Sequence, residues 1–169
     1  LFASAHAVIP KLPSVVLSTS FHMGYLVTLA GKQSYLLDRF QMGGPTSLRG
    51  FESNLVGPRD QTDPLGGDFA LEAGLNLAFP LIPSLGHVMR AHLFANAGMI
   101  SLSQNGAPFS GVRDLLANPK PHVSAGAGLL FKLSPTMRLE LNLAYPIRNP
   151  TDSPTSCRGL QLGIGVEFL

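Results

Sequence analysis

Residues 69–79 read Phe-Ala-Leu-Glu-Ala-Gly-Leu-Asn-Leu-Ala-Phe. Every odd-numbered position is apolar, and the even-numbered positions are small or polar. Because successive side chains of a β-strand point to opposite faces, this alternation predicts a strand with one continuous apolar face. Pro80 and Pro83 follow and end the pattern, since proline cannot donate to the hydrogen-bond ladder of a sheet.

The same alternation recurs on both sides of this stretch. It predicts seven strands, at about 2–10, 15–29, 69–79, 90–100, 123–133, 138–145 and 160–168. Their second face carries mostly Gly, Ser, Asn, His and single charges. Two classes of protein have apolar strands of this kind. In a soluble sandwich the apolar face packs on a second sheet, and in an outer-membrane barrel it meets lipid while the inner face is mildly polar.

The composition favours the barrel. Of the 169 residues, 45% are hydrophobic and only 13% are charged, against ~25% charged in an ordinary soluble domain. This balance excludes intrinsic disorder, and the 18 Gly and 14 Pro residues argue against a helical bundle. Mean hydropathy is positive at +0.23, yet no apolar run is long enough for a transmembrane helix. We therefore expect an all-β fold, a transmembrane antiparallel β-barrel.

Several function classes find no support in the sequence. The net charge is only +2 and no basic run occurs, so we expect no nucleic-acid partner. The single Cys157 and the five scattered histidines form no metal-ligand or nucleophile pattern, and no nucleotide fingerprint is present. We therefore expect no enzyme, no catalytic residue, no metal and no cofactor. The chain begins at Leu1, without an initiator methionine or a signal peptide, as expected of a fragment.

One predicted connection, residues 30–67, is far too long for a hairpin loop of about 2–5 residues. It is rich in glycine, but it also contains side chains that proteins usually bury: Phe40, Met42, Leu48 and Phe51. This composition predicts a loop that folds back into a lumen rather than a solvated linker. Arg49 would then need an acceptor, because an unpaired buried guanidinium is costly.

Residues 43–51, Gly-Gly-Pro-Thr-Ser-Leu-Arg-Gly-Phe, resemble the signature loop of the outer-membrane-protein assembly family, also called the bacterial surface antigen family. In that family a long loop with an Arg-Gly-aromatic motif tucks into the barrel. Residues 38–40, 65–68, 138–142 and 159–169 resemble its mitochondrial branch, the barrel subunits of the sorting and assembly machinery (SAM complex). The resemblance extends over essentially the whole chain.

The resemblance implies a sixteen-stranded barrel preceded by one or more POTRA domains. Residues 1–169 would then be its last seven strands, with no POTRA domain, an inward-folding loop at 30–67 and the terminal strand at 157–169. Seven strands cannot close a barrel, since their open edges would be unsatisfied in lipid. A self-sufficient seven-stranded protein is the alternative.

The function that the resemblance implies is insertion and assembly of β-barrel precursor proteins into the mitochondrial outer membrane. A lateral gate formed with the last strand would admit the precursor. The implied partners are β-barrel precursors, the other SAM complex subunits and membrane lipid. Two alternatives remain: a polypeptide-translocating or passive pore of the same family in a bacterial or plastid outer membrane, and a soluble all-β binding domain.

The loop motif consists of Leu48, Arg49, Gly50 and Phe51. The resemblance implies that Arg49 locks the loop inside the barrel, whereas an ordinary exposed arginine is the alternative. Where the family usually offers acidic partners, this sequence has two amides, Asn76 and Asn96. Glu72 shares the inward face of Asn76 and is the first candidate counter-ion of Arg49, with Glu140 second.

The terminal strand matches a second pattern of the family, polar-x-Gly-x-x-hydrophobic-x-hydrophobic. Its positions here are Gln161, Gly163, Val166 and Phe168. The resemblance implies that this is the sorting signal that the machinery also recognises in its substrates. A strand with a bare glycine and a regular apolar face suits pairing by strand addition. The alternative is that the last strand has this form only because its apolar face meets lipid.

Overall fold

A single antiparallel sheet of seven strands dominates the computed structural model, which describes residues 1–9, 12–28, 33–82, 84, 86, 88–103, 110–134, 136–150 and 157–166. In spatial order the strands are β1 (Phe2–Ile9), β2 (Leu12–Tyr25), β5 (Phe69–Pro80), β6 (Met89–Ser101), β7 (His122–Lys132), β8 (Met137–Arg148) and β9 (Leu160–Val166). The hairpin β3 (Arg59–Asp60) and β4 (Asp63–Pro64) lies in the connection between β2 and β5. No helix in the described ranges is long and apolar enough to cross a membrane.

The two faces of this sheet differ as the alternation requires. The apolar face is the exposed one: Leu75, Leu93, Leu143 and Leu162 are 48%, 50%, 65% and 63% exposed. Ser124, Asn142 and Gln161 lie on the opposite, inner face and are buried. A soluble sandwich would show the reverse, with the apolar face covered. An apolar face open to its surroundings is the arrangement that a bilayer stabilises.

The seven strands lie where the alternation predicts them, and the all-β fold class is confirmed. Small differences occur at the ends, where β2 ends at Tyr25 rather than Leu29 and β8 continues to Arg148. Residues 10, 29 and 167–169 of the predicted strands lie outside the described residues.

Three local elements are missing from the predictions. A helix, α1 (Ser110–Ala117), precedes β7, and a 3-10 turn (Leu36–Asp38) and the β3–β4 hairpin lie within the long connection. These elements are too short to show a period in the sequence. A search for period-two alternation therefore cannot detect them.

The long connection folds onto the inner face of the sheet. Isolated bridges join Phe40 to Gly67 and Met42 to Val56. The buried apolar cluster combines loop residues with one strand residue: Met42, Leu48, Phe51, Val56 and Ile100. The apolar core of the described chain therefore lies between a loop and one sheet, so removal of the loop would expose the polar inner face.

Candidate functional site

The loop is closed at its base by hydrogen bonds between its two ends. The Arg39 guanidinium donates to the backbone oxygens of Ser34 (2.7 Å) and Leu65 (3.1 Å). The Ser34 hydroxyl donates to the Asp68 carboxylate. These contacts join two of the stretches that carried the family resemblance, residues 38–40 and 65–68. They hold the loop so that its middle segment crosses the sheet.

Arg49 forms a buried ion pair with Glu140 of β8. Its Nη2 and Nε lie 2.9 and 3.2 Å from Glu140 Oε2. The second carboxylate oxygen, Oε1, accepts from Arg138 Nε at 2.8 Å. The Glu140 side chain is 2% exposed and that of Arg49 is 14% exposed. Because little water reaches the two side chains, loss of either partner would leave an uncompensated buried charge.

Further contacts fix Arg49 to β6 and β7. Its guanidinium carbon lies 5.1 Å from the centre of the Phe94 ring, within the range of a cation–π interaction. The Ser124 hydroxyl donates to the Arg49 carbonyl. With the Asn96 amide oriented so that its oxygen faces the loop, that oxygen accepts from the Arg49 backbone N–H at 3.3 Å. The side chain of Arg49 is thus held by β6 and β8, and its backbone by β6 and β7.

A row of polar side chains, here called the cross-strand chain, runs from β5 to Glu140. It consists of Asn76, His92, Asn142 and Glu140. His92 Nδ1 lies 2.7 Å from Asn76 Oδ1, and Nε2 lies 2.8 Å from Asn142 Oδ1. Asn142 Nδ2 then donates to Glu140 Oε2 at 3.3 Å. Between β6 and β8 the chain passes over Gly128 of β7, where an added Cβ would collide with both His92 and Asn142.

The terminal strand β9 contacts the loop through two residues. Gln161 is buried, and its side-chain amide makes two hydrogen bonds with the loop backbone. The Gly50 N–H donates to Gln161 Oε1 at 2.8 Å, and Gln161 Nε2 donates to the Phe51 carbonyl at 2.6 Å. Gly163 lies under Pro45, and a Cβ added to it would be 2.8 Å from Pro45 Cβ.

Gly50 has a conformation that favours glycine. Its φ is +88°, in the left-handed region, and an added Cβ would lie 3.0 Å from Ser124 Cβ and 3.2 Å from Ala144 Cβ. A side chain at this position would be strained and would also push the loop away from β7 and β8. Leu48 and Phe51 on either side are completely buried. The motif thus combines two apolar anchors, one cation and one glycine.

One family model and several known proteins match the chain. The model of the Omp85 superfamily domain matches residues 3–168. The chain belongs to the Omp85 superfamily. Among its relatives, the SAM50-like protein of Schizosaccharomyces pombe is 40% identical over 158 residues, which cover 92% of this chain and 32% of the relative. The sorting and assembly machinery component 50 homolog of Homo sapiens is 38% identical over 160 residues, 91% of this chain and 34% of the relative.

A solved structure supports the fold of this Omp85 chain. The crystal structure of BamA from Haemophilus ducreyi lacking POTRA domains 1–3 superposes with a TM-score of 0.75 at 23% identity, covering 96% of this chain and 33% of that one. The chain spans about a third of the length of the curated relatives that it matches. The expected β-barrel fold class and the expected location, the mitochondrial outer membrane, are confirmed.

The sequence of this Omp85 chain ranked Glu72 as the first candidate counter-ion of Arg49, and the structure corrects that ranking. Glu72 instead accepts from the Ser47 hydroxyl at 3.1 Å and lies 3.7 Å from His22 Nδ1. The reason is the path of the loop, which carries Arg49 past β5 to β8. Glu140, the second candidate, is the residue that meets the guanidinium.

The other predicted residues are distributed around the same motif. Asn96 contacts the Arg49 backbone, and Asn76 is linked to Glu140 only through the cross-strand chain. Val166 is the last described residue of β9 and pairs with Met137 of β8. Phe168 lies outside the described residues.

Sequence reasoning missed Ser124, His92, Asn142 and Pro45. Asn142 and Ser124 stand on the polar face that the alternation identifies, and His92 shares the phase of Asn96 on β6. Their positions in the alternation could therefore have shown that these side chains point to the inner face, where the loop lies. They could not have shown which of the many inward positions the loop touches.

Proposed function

We propose that this chain, as part of a longer Omp85 protein, inserts and assembles β-barrel precursor proteins into the mitochondrial outer membrane. Two observations support the proposal. The chain belongs to the Omp85 superfamily, and its relatives in Homo sapiens and Saccharomyces cerevisiae are named as sorting and assembly machinery components. Its partners on this proposal are the precursors, the other subunits of that machinery and membrane lipid.

The terminal strand supplies one side of a lateral gate in this proposal. In the described sheet β9 pairs with β8 on one side and forms an edge on the other. An edge strand presents unpaired N–H and C=O groups, which pair readily with another extended chain. Gly163 and Gly165 lie within β9, and glycine weakens a strand. Such a strand is suited to exchange of partners at the seam.

The observation that carries the proposal is the contact between the loop motif and the last three strands. Ser124, Glu140 and Gln161 belong to β7, β8 and β9, and each holds the segment 49–51. A loop tied to these strands holds β9 on its inner side, and the proposed gate would open along the other edge of that strand. Strand pairing and burial of apolar surface in lipid supply the driving force.

Site-specific photocrosslinking tests the gate. In the full-length protein, a photoreactive residue replaces Leu162 or Ile164, which are 63% and 57% exposed on the apolar face of β9. Mitochondria carrying this protein then import a β-barrel precursor. Leu143 of β8 is equally exposed, at 65%, but lies one strand away from the edge and serves as the matched control.

We expect precursor crosslinks from the β9 positions and few from Leu143. The crosslinks should disappear when the glycine of the precursor's own terminal strand is replaced. Crosslinks from β9 that are confined to the protein's own first strand, throughout import, would show a sealed seam. That result would contradict the gate and favour a passive or translocating pore.

A further inference from the structure

The buried carboxylate of Glu140 has two arginine partners, which are held by different parts of the chain. Arg49 lies on the loop and donates to Oε2 at 2.9 and 3.2 Å. Arg138 lies on β8, the same strand as Glu140, and donates to Oε1 at 2.8 Å. When the loop leaves the sheet, Arg49 leaves with it, whereas Arg138 stays two residues from the carboxylate.

Release of the loop therefore has an electrostatic cost that depends on Arg138. The Glu140 side chain is 2% exposed with the loop in place, and a buried carboxylate that loses its cation is unfavourable until water or another cation replaces it. A guanidinium can contact both oxygens of a carboxylate with two parallel hydrogen bonds. Arg138 already contacts one oxygen, so it can take the second when Arg49 withdraws.

The surroundings of Arg138 direct its side chain toward Glu140. A Cβ added to Gly165 of β9 would lie 3.0, 3.2 and 3.6 Å from Nε, Cγ and Cδ of Arg138, so the arginine stem lies flat on β9 where a glycine makes room for it. On the other side, Lys132 of β7 is directly opposite Arg138 in the sheet, and like charges at opposite positions repel each other. The glycine and the lysine both favour the orientation that reaches the carboxylate.

We propose that Arg138 is a stand-in partner, which holds the Glu140 carboxylate when Arg49 and the loop withdraw and so makes loop release easier. Docking and release are then an exchange of arginines on one carboxylate, and Glu140 is paired in both states. Arg138 is a positioning residue, because it acts on the loop only through Glu140. The consequence for precursor assembly rests on the proposed function, whereas the exchange of partners does not.

The sign of a substitution effect separates this role from that of a supporting contact. If Arg138 only fixed Glu140 in place for Arg49, Arg138→Gln would loosen the loop. A stand-in partner predicts the opposite result. The released state loses the cation that compensates Glu140, and the docked state loses the repulsion between two guanidinium groups on one carboxylate. Because solvent screens the 42% exposed Arg138 side chain, we expect loop opening to become only about fivefold rarer.

Amide hydrogen exchange of the segment 47–52 measures loop opening in the full-length protein in lipid nanodiscs, without any precursor. Peptides from β5 and β6 report on the barrel itself and serve as the internal standard. Arg138→Gln should slow exchange of the segment, and Arg138→Lys, which keeps the charge, should restore it. Arg138→Met keeps an apolar stem over Gly165 without a charge and repeats the test if the glutamine variant does not fold. Unchanged or faster exchange in the uncharged variants would overturn the proposal.

A double substitution tests whether Arg138 acts through the carboxylate. In a protein that already carries Glu140→Gln, the further change Arg138→Gln should alter the exchange by roughly twofold or less, since the group that couples the two arginines is gone. A fivefold slowing that persists in this background would show that Arg138 acts on the loop by another route. That result would overturn the stand-in role.

Assembly of an imported β-barrel precursor in mitochondria separates this inference from the proposed function. If loop release accompanies assembly, Arg138→Gln should slow assembly as it slows exchange. Slower exchange in nanodiscs with an unchanged assembly rate would support the stand-in partner and contradict a role of loop release in the proposed function. Slower assembly with unchanged exchange would overturn the stand-in partner and leave the proposed function intact.

Discussion

Replacement of Glu140 by glutamine should release the loop from the sheet. The native carboxylate accepts from Arg49 at 2.9 and 3.2 Å, from Arg138 at 2.8 Å and from Asn142 at 3.3 Å. The glutamine has the same shape but lacks the charge and one acceptor oxygen. Arg49 would then be a buried cation that has lost the carboxylate it contacts, whereas Arg138 is 42% exposed and can turn to water.

The size of the effect follows from these contacts. Removal of one partner of a buried ion pair costs about 3–5 kcal/mol, and the oxygen that remains on glutamine keeps part of the hydrogen bonding. We therefore expect the docked loop to lose about 2–3 kcal/mol. At ~1.4 kcal/mol for each factor of ten, this loss corresponds to an opening constant raised by roughly 30- to 150-fold.

Hydrogen exchange measured by mass spectrometry on the full-length protein in nanodiscs would detect this change. The informative segment is 47–52, because the Gly50 N–H is donated to Gln161 and the Phe51 N–H to the Leu48 carbonyl. Peptides from β5 and β6 serve as an internal standard. A loss of protection confined to the loop would separate its release from unfolding of the barrel.

Glu72→Gln is the matched control, since it is the same substitution on the same face of the sheet. Glu72 accepts from Ser47 and lies 3.7 Å from His22, whose side chain is 44% exposed. This contact should be worth ~1 kcal/mol or less. Equal loss of protection in the two variants, or none in Glu140→Gln, would refute the assignment of Glu140 as the counter-ion.

The remaining predictions concern other contacts of the motif. Gly128→Ala should break the cross-strand chain and lower the free energy of unfolding by about 1–3 kcal/mol, measured by heat-modified mobility in gels. Gly159→Ala is the control, because a Cβ added there would lie 3.7 Å from its nearest neighbour, and equal stability of the two variants would refute the cross-strand chain. Leu48→Ala leaves a cavity under the loop and should lower the stability of the docked loop by about 3 kcal/mol. Limited proteolysis measures this change, and an unchanged protease resistance of the loop would contradict it. Ser124→Ala removes a single hydrogen bond to the Arg49 carbonyl and should raise loop exchange by about fivefold; a larger effect than that of Glu140→Gln would contradict the ranking.

The strands were predictable because alternation is a local property. On β5 every odd residue from Phe69 to Phe79 is apolar, and any strand with that phase must turn one face to an apolar surrounding. The same phase restricts the registers of the sheet, since a slip by one residue would move every apolar side chain to the wrong face. Helix α1, by contrast, covers only two turns and left no comparable signal.

The need of Arg49 for an acceptor was also predictable, but which acceptor it meets was not. A cation among Leu48, Gly50 and Phe51 needs an acceptor wherever such a loop is buried. Glu140 lies 91 residues away, and Glu72 is much nearer in the sequence. Which of them meets the guanidinium depends on how far the loop travels across the inner face, and no local pattern encodes that distance.

The sequence by itself determined the period, the seven strands of the main sheet, its apolar outer face and the presence of a loop with buried residues, because each of these depends on neighbouring side chains. Only the tertiary structure decided that Arg49 reaches Glu140, that His92 and Asn142 bridge across Gly128, and that Gln161 and Gly163 carry the loop. These contacts join residues that are far apart in the sequence, on separate strands or on a strand and the loop. Their geometry arises from the sum of many long-range contacts across the sheet, and the site exists only where those strands and the loop meet.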